Sequence, residues 1–276
     1  MCRLLCCLCL LPSIALAAPW SFGEPVTIAD SGGSPHYHHL DGSGRRHIAA
    51  STTEVAVVWE DDRSGSPQVY LAVKPRLAQT FPRHEVLSDG REAYEPAIIA
   101  LADGRWLAAW EQDGSVVVRT VTVSGLGPIR HLSDAASRQV SLAADRTGRI
   151  AAVWVDYRDR GQALNAVELR IDGSQVTPET PPVQVAPVAD PPFQGYPSVA
   201  WNNSGQMIVA WEDRRAGHTR LFHAARTSAQ VFTPERQLNE HSAPVQEGGE
   251  MQGLGSGVMR VTLAANDGDT IQAIWL

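Results

Sequence analysis

The chain has 276 residues, 43% of them hydrophobic and 19% charged, which is enough apolar material for a sizeable core and excludes wholesale disorder. Its 23 Gly and 18 Pro are too few for a collagen-like or low-complexity chain. Thirty acidic against 23 basic residues leave a net charge of -7, which argues against a nucleic-acid partner.

At the N-terminus Arg3 precedes an apolar run, Leu4 to Leu11, followed by the small-residue pattern Ala15-Leu16-Ala17. This reads as a secretory signal peptide over residues 1–17 and predicts a secreted or periplasmic protein. The remainder, 18–276, is expected to form a single domain. The apolar run is shorter than the ~20 residues that span a bilayer, and no later segment approaches that length, so no transmembrane segment is expected. All four cysteines (Cys2, Cys6, Cys7, Cys9) fall inside the signal. The mature chain is therefore expected to lack disulfides, thiolate metal ligands and a Cys nucleophile.

Residues Glu24 to Asp30 (EPVTIAD) read as one strand. Beyond them five apolar segments end in Trp: AVVW at Trp59, LAAW at Trp110, AAVW at Trp154, IVAW at Trp211 and QAIW at Trp275. A shorter strand-like segment precedes each (HIAA, AIIAL, VSLAA, PSVAW, VTLAA). The connecting turns carry Asp103-Gly104, Asp145 to Gly148, Asn203-Ser204-Gly205 and Asp267-Gly268, residue types that tolerate the positive φ of tight hairpins. Acidic and Arg residues follow four of the Trp: Glu60-Asp61-Asp62-Arg63, Glu111-Gln112-Asp113, Asp156-Tyr157-Arg158 and Glu212-Asp213-Arg214-Arg215. A third strand (QVYLAV, SVVVRTV, NAVELRI, RLFHAA) and a fourth (RHEVLS, PIRHLS, PVQVA, PERQLN) complete each unit. The Trp recur every 44 to 64 residues and no window shows a sustained helical period. Four-stranded units at this spacing predict an all-β fold, a β-propeller of antiparallel blades. About five blades are visible. The last shows only two strands: either Glu24–Asp30 closes a five-bladed ring as the outer strand of a three-stranded last blade, or, the favoured reading, the chain is truncated in the last blade or more.

The repeat resembles the bacterial BNR-repeat and sialidase-like propellers, in which an apolar strand ending in Trp leads through an acidic-Asp-x-Arg loop towards an Asp-box. Here Leu77 to Phe81 and Thr227 to Phe232 stand at the Asp-box position and keep only its closing aromatic. Arg46-His47-Ile48-Ala49 stands where sialidases have Arg-Ile-Pro, and Glu60 to Arg63 is similar to their Glu-x-Arg. No position matches their Tyr nucleophile.

In a four-stranded meander the turns alternate between two faces, so the loops after each Trp share a face with the links between units. The expected ligand-binding set at that mouth is Arg63, Asp156, Arg158, Asp213, Arg214, Tyr94 and Tyr196. Arg forks bind carboxylates bidentately and aromatic faces stack on sugar rings, which fits a glycan or an anionic ligand. The recurrence of Asp and Arg in several units fits equally well ion pairs that merely hold each loop. The strand-end Trp are read as wedges between blades. His36, His38 and Asp41 form the densest ligand-type cluster and are the candidate metal ligands. No cofactor is called for: the Gly-rich stretch Glu247 to Gly253 lacks the Lys-Ser/Thr and the helix of a phosphate loop. The function read from the sequence is a binding or interaction module for glycans, its protein partner unspecified. The alternative that the resemblance implies is an exo-glycoside hydrolase with Asp62 as acid and Arg46, Arg158 and Arg214 as clamps.

Overall fold

The computed structural model describes residues 23–30, 38–39, 46–133, 136–158, 161–188, 193–215, 219–239, 259–266 and 268–276; the side chains at 38, 39 and 158 lie outside that description. The signal peptide with its four cysteines, and His36 and Asp41 of the metal candidates, fall outside the described residues, as does the side chain of His38.

Every described element is a strand. The first sheet holds β1 (His38–His39), β2 (Ile48–Ala50), β3 (Glu54–Asp61), β4 (Gln68–Pro75) and β5 (Arg83–Val86). The second holds β6 (Ala93–Ala100), β7 (Trp106–Gln112), β8 (Ser115–Thr122), β9 (Gly125–Leu126) and β10 (Arg130–His131). The third holds β11 (Ser137–Ala144), β12 (Ile150–Arg158), β13 (Gly161–Asp172), β14 (Gln175–Pro178) and β15 (Val183–Gln184). The fourth holds β16 (Gln194–Trp201), β17 (Met207–Asp213), β18 (Arg220–Ser228), β19 (Val231–Phe232) and β20 (Arg236–Gln237), and β21 (Thr262–Ala265) pairs with β22 (Ile271–Ile274) in the fifth. All pairings are antiparallel, most between sequence neighbours, while β1–β3, β8–β10, β13–β15 and β18–β20 skip one strand, and the sheets pack on one another as the blades of a propeller. Gly104, Gly148 and Gly205, in the expected hairpin turns, sit at φ of 84°, 91° and 82°.

Both faces of the inner strands are buried, which is why segments such as AIIA and LAAW are apolar at successive positions rather than alternating. Trp110 lies in the core between the first and second blades with Val58 and Leu71. Trp154 lies between the second and third with Leu107 and Val118, and Trp211 between the third and fourth with Val153 and Leu164. Each of these Trp thus wedges against the preceding blade, as expected. Trp275 departs from the rule and is 38% exposed.

Trp59 shows what takes the place of a preceding blade. Val57, Trp59 and Ala72, on the face of the first blade turned away from the second, pack with Phe81 against Val26, Ile28 and Ala29. Residues 23–30 are not the paired outer strand that the sequence led us to expect. They run as irregular chain across that face, held by Ile28 O to His84 Nε2 at 2.9 Å and Asp30 O accepting from Arg63 Nη1 at 3.4 Å.

Residues two apart share a face of a strand, and this explains the polar residue that follows three of the wedges, Trp211 Nε1 being buried without a partner. Trp59 Nε1 donates to Asp61 Oδ2 (3.1 Å), Trp110 Nε1 to Gln112 Oε1 (3.0 Å) and Trp154 Nε1 to Asp156 Oδ1 (2.7 Å). A buried indole N–H needs such an acceptor. Asp61 also receives Arg63 N (2.8 Å) and Arg63 Nε (2.9 Å), and Asp213 receives Arg215 N (2.9 Å) and Arg215 Nε (3.0 Å). The Asp-x-Arg pattern is therefore, in these two blades, an intraloop ion pair between Trp+2 and Trp+4.

The Asp61–Arg63 pair makes the fold sensitive to acid. Burial pushes the Asp61 carboxyl up, but hydrogen bonds from Arg63 and Trp59 and the Arg63 charge outweigh it and leave the group below its usual 3.8. Asp145 is likewise lowered, by Thr147 and Arg149 against burial. Near pH 3.8 the unfolded chain binds more protons at these groups than the native one. The stability they contribute is complete above that range and is lost as pH falls through it. Urea unfolding at pH 7 and at pH 3.5 should show a lower midpoint in acid, and Asp61→Asn should shrink the difference.

Candidate functional site

The inner strands of the blades are bulged at one repeated position. Register breaks between Tyr94 and Ala97, Arg138 and Ser141, and Gly195 and Ser198. At or beside these breaks Glu95, Gln139 and Tyr196 have φ of 53°, 61° and 50°, and Arg260, just before β21, has 62°. A left-handed non-glycine residue costs about 1–3 kcal/mol and persists only where its surroundings hold it. Here the preceding blade does so. Glu95 N donates to Glu60 Oε2 (3.2 Å), Gln139 N to Glu111 Oε1 (2.7 Å) and Arg260 N to Glu212 Oε1 (2.7 Å). The three acceptors are the residues directly after Trp59, Trp110 and Trp211. After Trp154 the sequence has Val155, and there Gln139 Oε1 accepts from Tyr196 N instead (2.8 Å).

This ring of clamps brings the bulged residues to one mouth of the central channel, where a cavity of about 730 Å³ opens. Its walls include Tyr94, Tyr157 and Tyr196, the carboxylates Glu92, Glu95, Glu111 and Asp113, the amide of Gln139, and Arg138 and Arg260. The two guanidinium groups are already stacked: Arg138 lies 5.6 Å from the Tyr157 ring centre and Arg260 4.5 Å from that of Tyr196. Asp113 pairs with Arg91. Tyr94 Oη donates to Glu92 Oε2 at 2.6 Å. That hydrogen bond first, then burial and the charges of Glu92 and Glu60, push the phenol up to about 12, so Tyr94 stays a neutral donor across the physiological range. Burial raises the Glu212 carboxyl, opposed by the Arg260 N–H and the charges of Arg260 and Arg214.

The cavity lies on the expected face, and Tyr94 and Tyr196 line it. The other sequence candidates are placed elsewhere. Asp62 sits in the β3–β4 turn, its carbonyl accepting from Gly65 N at 2.8 Å. Arg63 is committed to Asp61 and lies 5.0 Å from the Tyr70 ring centre. Asp156 binds Trp154 and Asn165 Nδ2 (2.8 Å), and Asp213 binds Arg215. Arg214 stacks on Phe193 at 4.1 Å and donates to Thr219 Oγ1 at 3.2 Å. Arg46 lines a different opening, at the far end of the channel. Arg46 and Arg214, two of the three expected clamps, thus have separate surroundings. The side chain of Arg158 lies outside the described residues.

Glu95, Glu111, Arg138, Gln139, Tyr157 and Arg260 were not among the sequence candidates. For Glu95, Gln139 and Arg260 the signal was present in the repeats: in the second to fifth sheets the residue before Pro96-Ala97, Val140-Ser141, Pro197-Ser198 and Val261-Thr262 is the left-handed one. Its chemistry differs from blade to blade (Glu, Gln, Tyr, Arg), which is what a site requires and a structural repeat does not.

No family model and no curated protein matches the chain. Solved structures similar to it include a protein of unknown function from Dyadobacter fermentans, 12% identical over 76% of this chain and 75% of that one, with a TM-score of 0.52. A GH62 α-L-arabinofuranosidase catalytic domain from Coprinopsis cinerea is 10% identical over 91% and 88%, with a TM-score of 0.48. An endo-arabinase from Bacteroides thetaiotaomicron is 12% identical over 84% and 88%, with a TM-score of 0.47. At such identities the likeness is one of fold alone.

Proposed function

We propose that this is a secreted or periplasmic propeller that binds a neutral oligosaccharide at the mouth lined by Tyr94, Tyr157 and Tyr196. The observation that carries the reading is the combination of three tyrosines with carboxylate and amide acceptors in one cavity. Sugar C–H faces pack on aromatic rings, and sugar hydroxyls donate to groups such as Glu95, Glu111 and Gln139. A volume of about 730 Å³ falls in the range of small-molecule sites. Four carboxylates against two stacked guanidinium groups favour a neutral ligand over an acidic one. The signal-peptide pattern at residues 1–17 supports the location.

A second reading, a glycoside hydrolase, is favoured by one observation: Glu95 and Glu111 line the same cavity, and hydrolysis of a glycosidic bond uses a pair of carboxyl groups. The sialidase branch of that reading would need Arg side chains converging on a substrate carboxylate.

Calorimetric titration with neutral and sialylated oligosaccharides decides among these. Binding of a neutral glycan is expected, with roughly tenfold or greater weakening in Tyr157→Ala, a loss equivalent to about 1.4 kcal/mol. Release of reducing sugar, abolished by Glu111→Gln, would replace the module with the hydrolase. Preference for the sialylated glycan would overturn the neutral-ligand reading. The clamp itself is tested separately. Glu212→Ala removes the acceptor of the Arg260 N–H and is expected to lower stability by about 1–3 kcal/mol in chemical denaturation.

A further inference from the structure

The opposite end of the channel carries a second cavity, of about 1010 Å³, bounded by the hairpin turns and the last residues of the inner strands. Four of those strands end in alanine, Ala50, Ala100, Ala144 and Ala265, and β16 has Ala200 just before its final Trp201; these short side chains leave the space open. Its charge is the reverse of that at the tyrosine mouth. Arg46, Arg76 and Arg146 line it against one carboxylate, Asp145, which is already committed to Arg149 (Nε to Oδ2, 2.7 Å). Arg146 donates to Asn203 Oδ1 at 2.9 Å.

Arg46 is the unusual member. Its guanidinium is partly buried, and its hydrogen bond is to a backbone carbonyl, Leu263 O at 3.1 Å, with no carboxylate beside it. Burial acts on it unopposed and lowers its proton affinity. A guanidinium offers five N–H donors, and a charge taken out of water without a counterion is costly. Trp201 is 95% buried and lines the cavity, with Arg149 4.8 Å from its ring centre, so its indole resonance reports on the site. A cation lacking a counterion calls for a compact acceptor carrying negative charge.

We propose that this cavity binds an oxyanion, free or as the charged group of a larger ligand, with the Arg46 guanidinium as its anchor and the positive charges of Arg76 and Arg146 on the same wall. Charge-assisted hydrogen bonds from Arg to carboxylate or phosphate are the strong kind. The site is independent of the tyrosine mouth and lies at the other end of the channel, so either can fail without the other.

The test titrates the full chain with inorganic phosphate, acetate or glucuronate at fixed ionic strength, following thermal unfolding and the indole N–H resonances. A saturable rise in Tm is expected with at least one of the three, together with a shift of the Trp201 indole signal, assigned by its loss in Trp201→Phe. Similar affinities for the three would indicate a free oxyanion. A clear preference for glucuronate would indicate a carboxylate borne on a sugar. Arg46→Gln is expected to abolish the effect while leaving Tm in anion-free buffer no lower, because it removes an uncompensated charge. Arg46→Lys, which loses the planar fork, should weaken binding roughly tenfold. No saturable response to any of the three anions, or an equal response in Arg46→Gln, overturns the proposal. If Arg46→Gln does not fold, a Trp201 indole resonance in the wild type that is unmoved at saturating anion overturns it.

Discussion

Trp154→Ala is expected to destabilise the protein by about 3–5 kcal/mol, the range for emptying a large buried aromatic site. Trp154 is 1% exposed and packs between the second and third blades against Leu107, Val118 and Leu142. The walls around it are β-strands tied by ladders on both sides and cannot close over the cavity that alanine would leave. The substitution also strips the Nε1–H partner from Asp156, which keeps Asn165. Chemical denaturation should show a lower midpoint with little change in slope. Unchanged stability would mean that Trp154 is not a wedge and would remove the packing account given for Trp110 and Trp211.

Asp61→Ala is expected to cost about 3 kcal/mol, at the lower end of the range for breaking a buried ion pair because Arg63 keeps some solvent access. The Asp61 side chain is wholly buried and its acceptors serve Trp59 Nε1 and, from Arg63, the backbone N, Nε and Nη2. Alanine would leave all of them without their acceptor at once. Asp61→Asn, which keeps an acceptor oxygen but not the charge, should cost less. Glycan binding at the tyrosine mouth should be little changed in a folded Asp61→Asn, since Asp61 does not line that cavity. A large loss of binding at full stability would instead make this pair part of the ligand site.

The intraloop ion pairs and the residues at the mouth differ in how they could be read. The Trp-x-Asp-x-Arg pattern of Trp59 to Arg63 and Trp211 to Arg215 is local: two-residue periodicity puts Trp, Asp and Arg side by side on a strand and its turn. That Asp61 rather than Asp62, and Arg215 rather than Arg214, form the pairs follows from the same periodicity. The clamps of Glu60, Glu111 and Glu212 are not local. Each carboxylate reaches a backbone N–H in the next blade, 28 to 48 residues further along. No motif of contiguous residues announces such a contact.

By itself the sequence determined the all-β class, the four-stranded unit, the blade count visible in the chain, the turns with their left-handed glycines, and the wedge role of Trp59, Trp110, Trp154 and Trp211. These depend on periods of two residues and on repetition, which are written along the chain. The tertiary structure decided that residues 23–30 lie across the first blade as irregular chain instead of pairing as a strand. It also decided which side chains share a cavity: Tyr94 and Tyr196 with Glu95, Glu111, Gln139 and Arg260 at one mouth, and Arg46 with Trp201 at the other. Each of the second to fifth sheets contributes one left-handed residue to the axis. Which residues meet there depends on the bulge register and blade-to-blade contact, not on neighbours in sequence.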